Sequence, residues 1–327
     1  MEKRTCGKSG IEISSMGIGC WSYGGGDYWG PQAQSDVTTV VNAALDAGIN
    51  FFDTAEGYNS GRSEEALAVA LEGRRHEAII GTKISRPDPA AMREHCEGSL
   101  QRLQTDYVDI YMIHWPHDEF AIEESMAELM RLQEDGLIRA IGVSNFGVEQ
   151  LTAALNTGAT IAVNQVCYNL LSRAIEPGVL PLCREQNVGI LGYMPLLQGI
   201  LTGQYKSADE IPPVHARFRH FRDERPEASH GEEGVEEEMF ETLEGIREIT
   251  EAEGVPMSRL AIAWAMARPG ITCMLVGTRN IDELEQNLHV AAYSPSADVI
   301  ASLDKVTAPL LEKLGEDPDY FAGGRIR

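Results

Sequence analysis

The sequence predicts an α/β fold, a (β/α)8 TIM barrel with an N-terminal β-hairpin and extra C-terminal helices, on three observations. Short apolar runs of strand length alternate with segments whose apolar residues recur at helical spacing, a rhythm that implies parallel βαβ crossovers. Counted from Met16, the rhythm supplies eight strands, the number that closes a sheet on itself. The fingerprint of an open, doubly wound sheet is missing, because Gly17, Gly19 and Gly24-Gly25-Gly26 do not make G-x-G-x-x-G.

The elements follow in order. Residues 4–15 hold the turn Gly7-Lys8-Ser9-Gly10 between two short segments able to pair as a hairpin. Strands are predicted at 16–19, 50–54, 78–83, 107–114, 138–143, 161–164, 189–193 and 271–276. Helices are predicted at 37–47, where Gly48 supplies the stop, and at 63–72, 89–104, 122–135, 147–156, 177–186 and 280–290. Between Leu201 and Glu238 the rhythm breaks into a polar stretch containing Pro212-Pro213 and a basic, aromatic string from His215 to Arg222. A long irregular segment of this kind reads as a loop over a site, here one suited to an anionic ligand. Glu232 to Glu238 reads as the acidic first turn of a helix that runs to about Glu253 and stops at Gly254-Val255-Pro256. Helices at 258–267 and 296–314 complete the chain. No linker or repeat divides it, so residues 1–327 are expected to form a single domain.

Bulk composition excludes several classes of function. Lys and Arg total 27 against 50 Asp and Glu, and a formal charge of −23 argues against nucleic acid and against an anionic membrane surface. The start carries no signal-peptide pattern, and no apolar run is long enough to span a bilayer, so a cytoplasmic location is expected. Six cysteines lack C-x-x-C spacing and are expected to be reduced and mostly buried.

In such a barrel, functional groups belong at the carboxyl ends of strands. Asp53 ends the second strand and Tyr58 lies in the loop after it; Lys83 and His114 end the third and fourth. Each alone has an ordinary structural reading. Four ionisable groups on three successive strand ends make a coherent proton-transfer site. A lysine beside Tyr58 is expected to lower the phenol pKa, with Asp53 holding the lysine in place and His114 bonding the substrate oxygen. Such a site protonates a developing alkoxide, as hydride reduction of a carbonyl requires.

Phe52-Asp53-Thr54-Ala55-Glu56-Gly57-Tyr58 with Gly61-x-Ser63-Glu64-Glu65, Gly81-Thr82-Lys83, Asp106-Tyr107-Val108-Asp109 through His114-Trp115-Pro116, and Gly142-Val143-Ser144-Asn145-Phe146 resemble the motifs of the aldo-keto reductase superfamily. The resemblance runs from Gly19-Cys20-Trp21 to Asn287. It implies a nicotinamide cofactor, Tyr58 as general acid in reduction and base in oxidation, and Asp53, Lys83 and His114 as its supporting residues. It further implies cofactor contacts from Gly19, Cys20, Trp21 and Asp53, with Ser144, Asn145 and Gln165 on the carboxamide and Tyr193 stacked on the ring. Met194, Pro195 and Leu196, following Tyr193, would add cofactor contacts, Gln198 and Leu201 would run beside the pyrophosphate, and Gly277, Thr278, Arg279, Glu283 and Asn287 would grip the adenosine end.

Three positions depart from the commoner family pattern: Gln204 in place of lysine, Met194 in place of serine or cysteine, and Glu283 in place of Gln or Arg. Arg279 suits the 2′-phosphate of NADP, whereas Glu283 suits the free ribose hydroxyls of NAD. NADP is therefore expected, with NAD a close second. Trp21, Tyr23, Tyr28, Trp29 and Trp115 are expected to ring the nicotinamide, with Trp21, Tyr28 and Trp115 either meeting a small-molecule carbonyl or sugar substrate or packing as a hydrophobic lid, and the oligomeric state stays open. The alternative is a cofactor-holding regulatory or partner-binding protein similar to the potassium-channel β subunits. A metal site built on His114 and His117 is disfavoured by Pro116 between them and by Lys83 beside Asp53.

Overall fold

The computed structural model describes all 327 residues. Two short antiparallel strands, β1 (Lys3–Thr5) and β2 (Glu12–Ser14), form the expected hairpin. Eight parallel strands follow: β3 (Met16–Gly19), β4 (Phe51–Asp53), β5 (Ile79–Ile84), β6 (Val108–Ile113), β7 (Ile138–Ser144), β8 (Ile161–Cys167), β9 (Gly189–Tyr193) and β10 (Ile271–Gly277). They close into a barrel in which β10 pairs with both β9 and β3. The surrounding helices are α1 (Gln34–Asp46), α2 (Arg62–Ala70), α3 (Met92–Leu103), α4 (Ile122–Glu134), α5 (Val148–Asn156), α6 (Val179–Gln186), α7 (Glu236–Glu253), α8 (Met257–Ala267), α9 (Ile281–Ala291) and α10 (Ala297–Leu314). No helix is long and apolar enough to cross a membrane.

Helix α1 begins at Gln34 rather than 37, and two other helix starts are shifted by three or four residues, each for a local reason. Helix α3 begins at Met92 rather than 89 because Asp88 precedes a proline, which disfavours helical backbone there, and its carboxylate accepts from Ala90 N in a turn. Helix α7 begins at Glu236 rather than 232, because Gly234 adopts φ +73 and Glu232 is spent on Arg219 at 2.7 Å.

Burial divides into two layers. Inside the barrel, Phe51, Ile110, Met112, Val163, Leu191 and Leu275 fill the axis, and Cys6, Ile11 and Ile13 of the hairpin close its amino end. The filling is tight enough that a Cβ at Gly142 would stand 2.6 Å from Met112 Cγ. A larger cluster of 76 buried residues packs the helices onto the outside of the strands and holds most of the apolar surface that stabilises the fold. With its amino end stoppered, the barrel offers chemistry only at its carboxyl end. There the parallel register sets Gly19 level with Asp53 and Gly277, and Ser144 level with Gln165.

Candidate active site

Lys83, the penultimate residue of β5, is fully buried, which would be costly for an ammonium without partners. All three of its N–H groups are used: Nζ donates to Asp53 Oδ2 at 2.7 Å, to the Thr54 carbonyl at 2.8 Å and to Tyr58 Oη at 3.3 Å. Asp53 ends β4, and its other oxygen accepts from Gln165 Nε2 at 2.7 Å. Burial alone would strip Lys83 of its proton, but Asp53 and then Tyr58 beside it hold its pKa above the ordinary lysine value. Burial raises the Asp53 carboxyl, and Lys83 and Gln165 oppose that rise. With an N–H donor on each carboxylate oxygen, the pair stands ionised.

Tyr58 follows β4 on a turn closed by Tyr58 N donating to Ala55 O at 3.0 Å. Its ring lies 5.9 Å from Trp21 and edge-on to His114 at 5.6 Å. From the sequence Lys83 is expected to pull the phenol pKa down; burial outweighs Lys83, and the pKa goes up. Tyr58 is therefore a protonated phenol at neutral pH. Because Lys83 donates to Oη, the hydroxyl proton is left to point elsewhere.

His114 comes immediately after β6. Burial, with Lys83 adding to it, pushes its pKa down to about 3, so the ring is neutral and can donate a hydrogen bond without acting as an acid at neutral pH. The four residues expected to act together are thus brought together.

The residues expected around a nicotinamide also form a web. Ser144 Oγ donates to Gln165 O at 3.1 Å; Asn145, at φ +59, donates through Nδ2 to His114 O at 2.9 Å and accepts from Tyr193 Oη at 2.8 Å. After β9 the chain turns through Met194, Pro195 and Leu196, with Met194, Leu197 and Gln198 all at positive φ. Gln198 Oε1 accepts from Tyr28 Oη at 2.6 Å, while its Nε2 is buried without a partner. Leu201 is buried, and so is Cys20, whose thiol burial pushes far above its usual pKa.

At the expected adenosine end, Gly19 pairs with Gly277, which faces open space. Thr278 is buried and accepts from Asn287 Nδ2 at 2.9 Å. Arg279 is tied to the segment before α1: Nε donates to Gln32 Oε1 at 2.9 Å and a terminal nitrogen to Pro31 O at 3.0 Å. Glu283 Oε2 accepts from Arg279 N at 2.8 Å and its Oε1 from Asn280 Nδ2 at 3.0 Å.

The expected ring of aromatics splits. Trp21 stacks on Tyr28 at 4.9 Å, and Trp29 meets both edge-on, whereas Tyr23 is buried in the core. Trp115 packs instead on residues after α10, edge-on to Phe321 at 5.7 Å and beneath the Arg325 guanidinium at 4.1 Å. Phe321 and Arg325 carry no motif and were invisible to sequence reasoning.

The basic loop also needs correction. Arg219 is buried on Glu232 and on the carbonyls of Leu314 and Asp317, and Arg222 pairs with Glu236. Phe218 and Phe221 are core residues. Most of this string therefore anchors the loop and does not face a ligand. Arg217 differs: its guanidinium lies over Tyr28 at 5.4 Å, no carboxylate pairs with it, and its Nε is buried without a partner.

The chain is 31% identical over 311 residues to the aldo-keto reductase YhdN of Bacillus subtilis, covering 91% of each chain. It is 31% identical over 341 residues to the NADH-specific methylglyoxal reductase of Escherichia coli, covering 96% of this chain and all of the relative. The crystal structure of an aldo/keto reductase from Klebsiella pneumoniae in complex with NADP and acetate superposes with a TM-score of 0.73 at 26% identity, covering 94% of this chain and 96% of that one. The model of the aldo/keto reductase family matches residues 15–308, and the chain belongs to that family of oxidoreductases.

Proposed function

We propose that the protein is an NAD(P)-dependent reductase of a small aldehyde or ketone, running in reverse as a dehydrogenase of the corresponding alcohol or sugar. The carrying observation is the division of the Lys83 ammonium among Asp53, Thr54 and Tyr58, which leaves the Tyr58 proton free for a substrate oxygen. In reduction Tyr58 gives that proton to the carbonyl oxygen as it becomes an alkoxide, and in oxidation it takes the proton back. Lys83 stabilises the phenolate left behind, and neutral His114 donates a hydrogen bond to the same substrate oxygen. Asp53 keeps Lys83 charged and oriented.

A nicotinamide cofactor supplies the hydride when bound. The donors present suit a phosphate-bearing molecule: buried Gln198 Nε2 and Arg217 Nε have no partner, in a chain otherwise crowded with carboxylates. Ser144, Asn145, Gln165 and Tyr193 would hold its nicotinamide end. NADP is the proposed cofactor and NAD the runner-up: the Klebsiella relative is seen with NADP, and the Escherichia coli relative is NADH-specific.

The test is a fluorescence titration with NADPH and NADH, followed by a panel of aldehydes, ketones and sugar alcohols with the tighter cofactor. Tyr58→Phe is expected to abolish turnover and keep cofactor binding measurable. Undiminished turnover in that variant overturns the assignment.

A further inference from the structure

Helix α5 starts behind Gly147, a residue with no side chain to accept from the first free N–H groups of the helix. A carbonyl from far along the chain does so instead: Arg327 O accepts from Glu149 N at 2.9 Å and from Gln150 N at 3.1 Å. The approach requires glycine, since a Cβ at 147 would stand 2.3 Å from that oxygen. Gln150, itself 6% exposed, fastens the same segment from the side. Its Oε1 accepts from Arg327 N at 2.9 Å and from Gly147 N at 3.1 Å, and its Nε2 donates to Arg325 O at 2.7 Å. One buried amide thus clamps residues 325–327 onto the head of α5.

What the clamp holds lies beside the site. The Arg325 side chain forks onto buried Asp319, at 2.7 and 2.9 Å, and its guanidinium covers the face of Trp115. Phe321 adds an edge contact to the same ring, and Trp115 directly follows His114. An aromatic face covered by a fixed guanidinium is unavailable to a ligand.

We infer that Gln150 is a positioning residue for the substrate mouth: by clamping residues 325–327 it keeps Arg325 on Trp115 and narrows the wall beside His114, without touching the reacting atoms. The inference rests on the carbonyl-reductase reading for its kinetic consequence. Small aldehydes do not reach Trp115 and are indifferent to the clamp. Bulky aryl aldehydes must compete with Arg325 for that face and are disfavoured by it.

The experiment compares wild type, Gln150→Leu, Gln150→Glu and Arg325→Gln with propanal and 2-naphthaldehyde, alongside hydrogen exchange of the amides at 149 and 150. In Gln150→Leu, exchange is expected to rise about tenfold as protecting hydrogen bonds are lost. Its KM for naphthaldehyde should fall about fivefold, the scale of one such contact, while propanal kinetics and cofactor Kd stay unchanged. Gln150→Glu keeps the acceptor oxygen and loses the donor to Arg325 O, so its exchange falls between the two. Arg325→Gln uncovers Trp115 with the backbone clamp intact and reproduces the KM split without the exchange change, which keeps the inference testable if Gln150→Leu fails to fold. Unchanged exchange, a KM that does not fall for naphthaldehyde alone, or a parallel loss of kcat on both aldehydes overturns it. A wild type that turns over neither aldehyde sinks the reductase reading by itself, and the clamp is then decided by the exchange arm.

Discussion

Gln165 and Asp53, 112 residues apart in the chain, are joined by one hydrogen bond of 2.7 Å from Nε2 to Oδ1. The other oxygen of the same carboxylate holds Lys83. A single side chain therefore couples the proposed proton-transfer group to a residue of the proposed nicotinamide pocket. Asp53→Asn offers one oxygen and one NH2 group to these two donors, so one contact must be lost. Turnover is expected to fall at least about a hundredfold, the scale of a lost acid–base contribution, and cofactor affinity should weaken as well. Tyr58→Phe provides the contrast, because it should lose turnover alone; steady-state kinetics and fluorescence titration on both variants separate the two.

Cofactor preference turns on Glu283. Its carboxylate accepts from the backbone N–H of Arg279, whose guanidinium donates to Gln32 and Pro31, so a negative charge stands beside the cation proposed to meet the 2′-phosphate of NADP. Glu283→Gln keeps an acceptor for Arg279 N and removes the charge. Its Kd for NADPH relative to NADH is expected to drop about tenfold, the scale of one charge contact near a surface. Titration with both cofactors reads this directly, and an unchanged ratio counts against Glu283.

His220 is fully buried, stacks on Tyr320 at 5.2 Å and bonds Leu171 O through Nε2 at 2.8 Å. Burial, aided by Arg219 and opposed by the Leu171 carbonyl, pushes its pKa down from 6.5 to about 4. Between those values the unfolded chain binds the proton that the folded chain refuses, so stability falls as pH drops from 6.5 towards 4 and levels off below. The contribution is on the order of 3 kcal/mol. Denaturant melts from pH 7 to 4 should show a shallower decline in His220→Gln.

Glu64, with no exposed surface, accepts from Thr82 Oγ1 at 2.6 Å and from Arg102 Nε at 2.6 Å. Arg102→Met leaves that carboxylate buried and unpaired, at an expected cost of about 3–5 kcal/mol. Adding Glu64→Gln should recover part of the loss, because the neutral amide needs no counter-charge. Urea melts of the single and double variants check both statements.

The barrel and the gathering of Asp53, Tyr58, Lys83 and His114 at its carboxyl end were legible in the sequence because both are written locally. Each strand is a short apolar run, and Asp53, Lys83 and His114 stand at the ends of such runs, where the fold gathers them. What escaped depends on partners distant in the chain. Arg219 looks like a ligand-facing cation until Glu232 and the carbonyls of Leu314 and Asp317 are seen around it. The direction of the Tyr58 shift escaped for a related reason: Lys83 is visible in sequence, but the burial that outweighs it is a property of the packed site. Arg325 and Phe321 meet Trp115 from beyond α10, some two hundred residues along the chain, where no motif marks them.

The seam of the barrel has a consequence for how the protein is made. Met16 and Gly17 pair with Met274 and Leu275, and Arg4 reaches from the hairpin to the carbonyls of Met266 and Ile271. During synthesis β3 is therefore an unpaired sheet edge until β10 has left the ribosome, and such long-range closure is slow. Until then the short β1–β2 hairpin, which stays beside that edge, has no barrel to stopper. Nascent chains arrested before residue 271 should accordingly bind chaperones and resist proteases poorly, whatever the health of their finished helices.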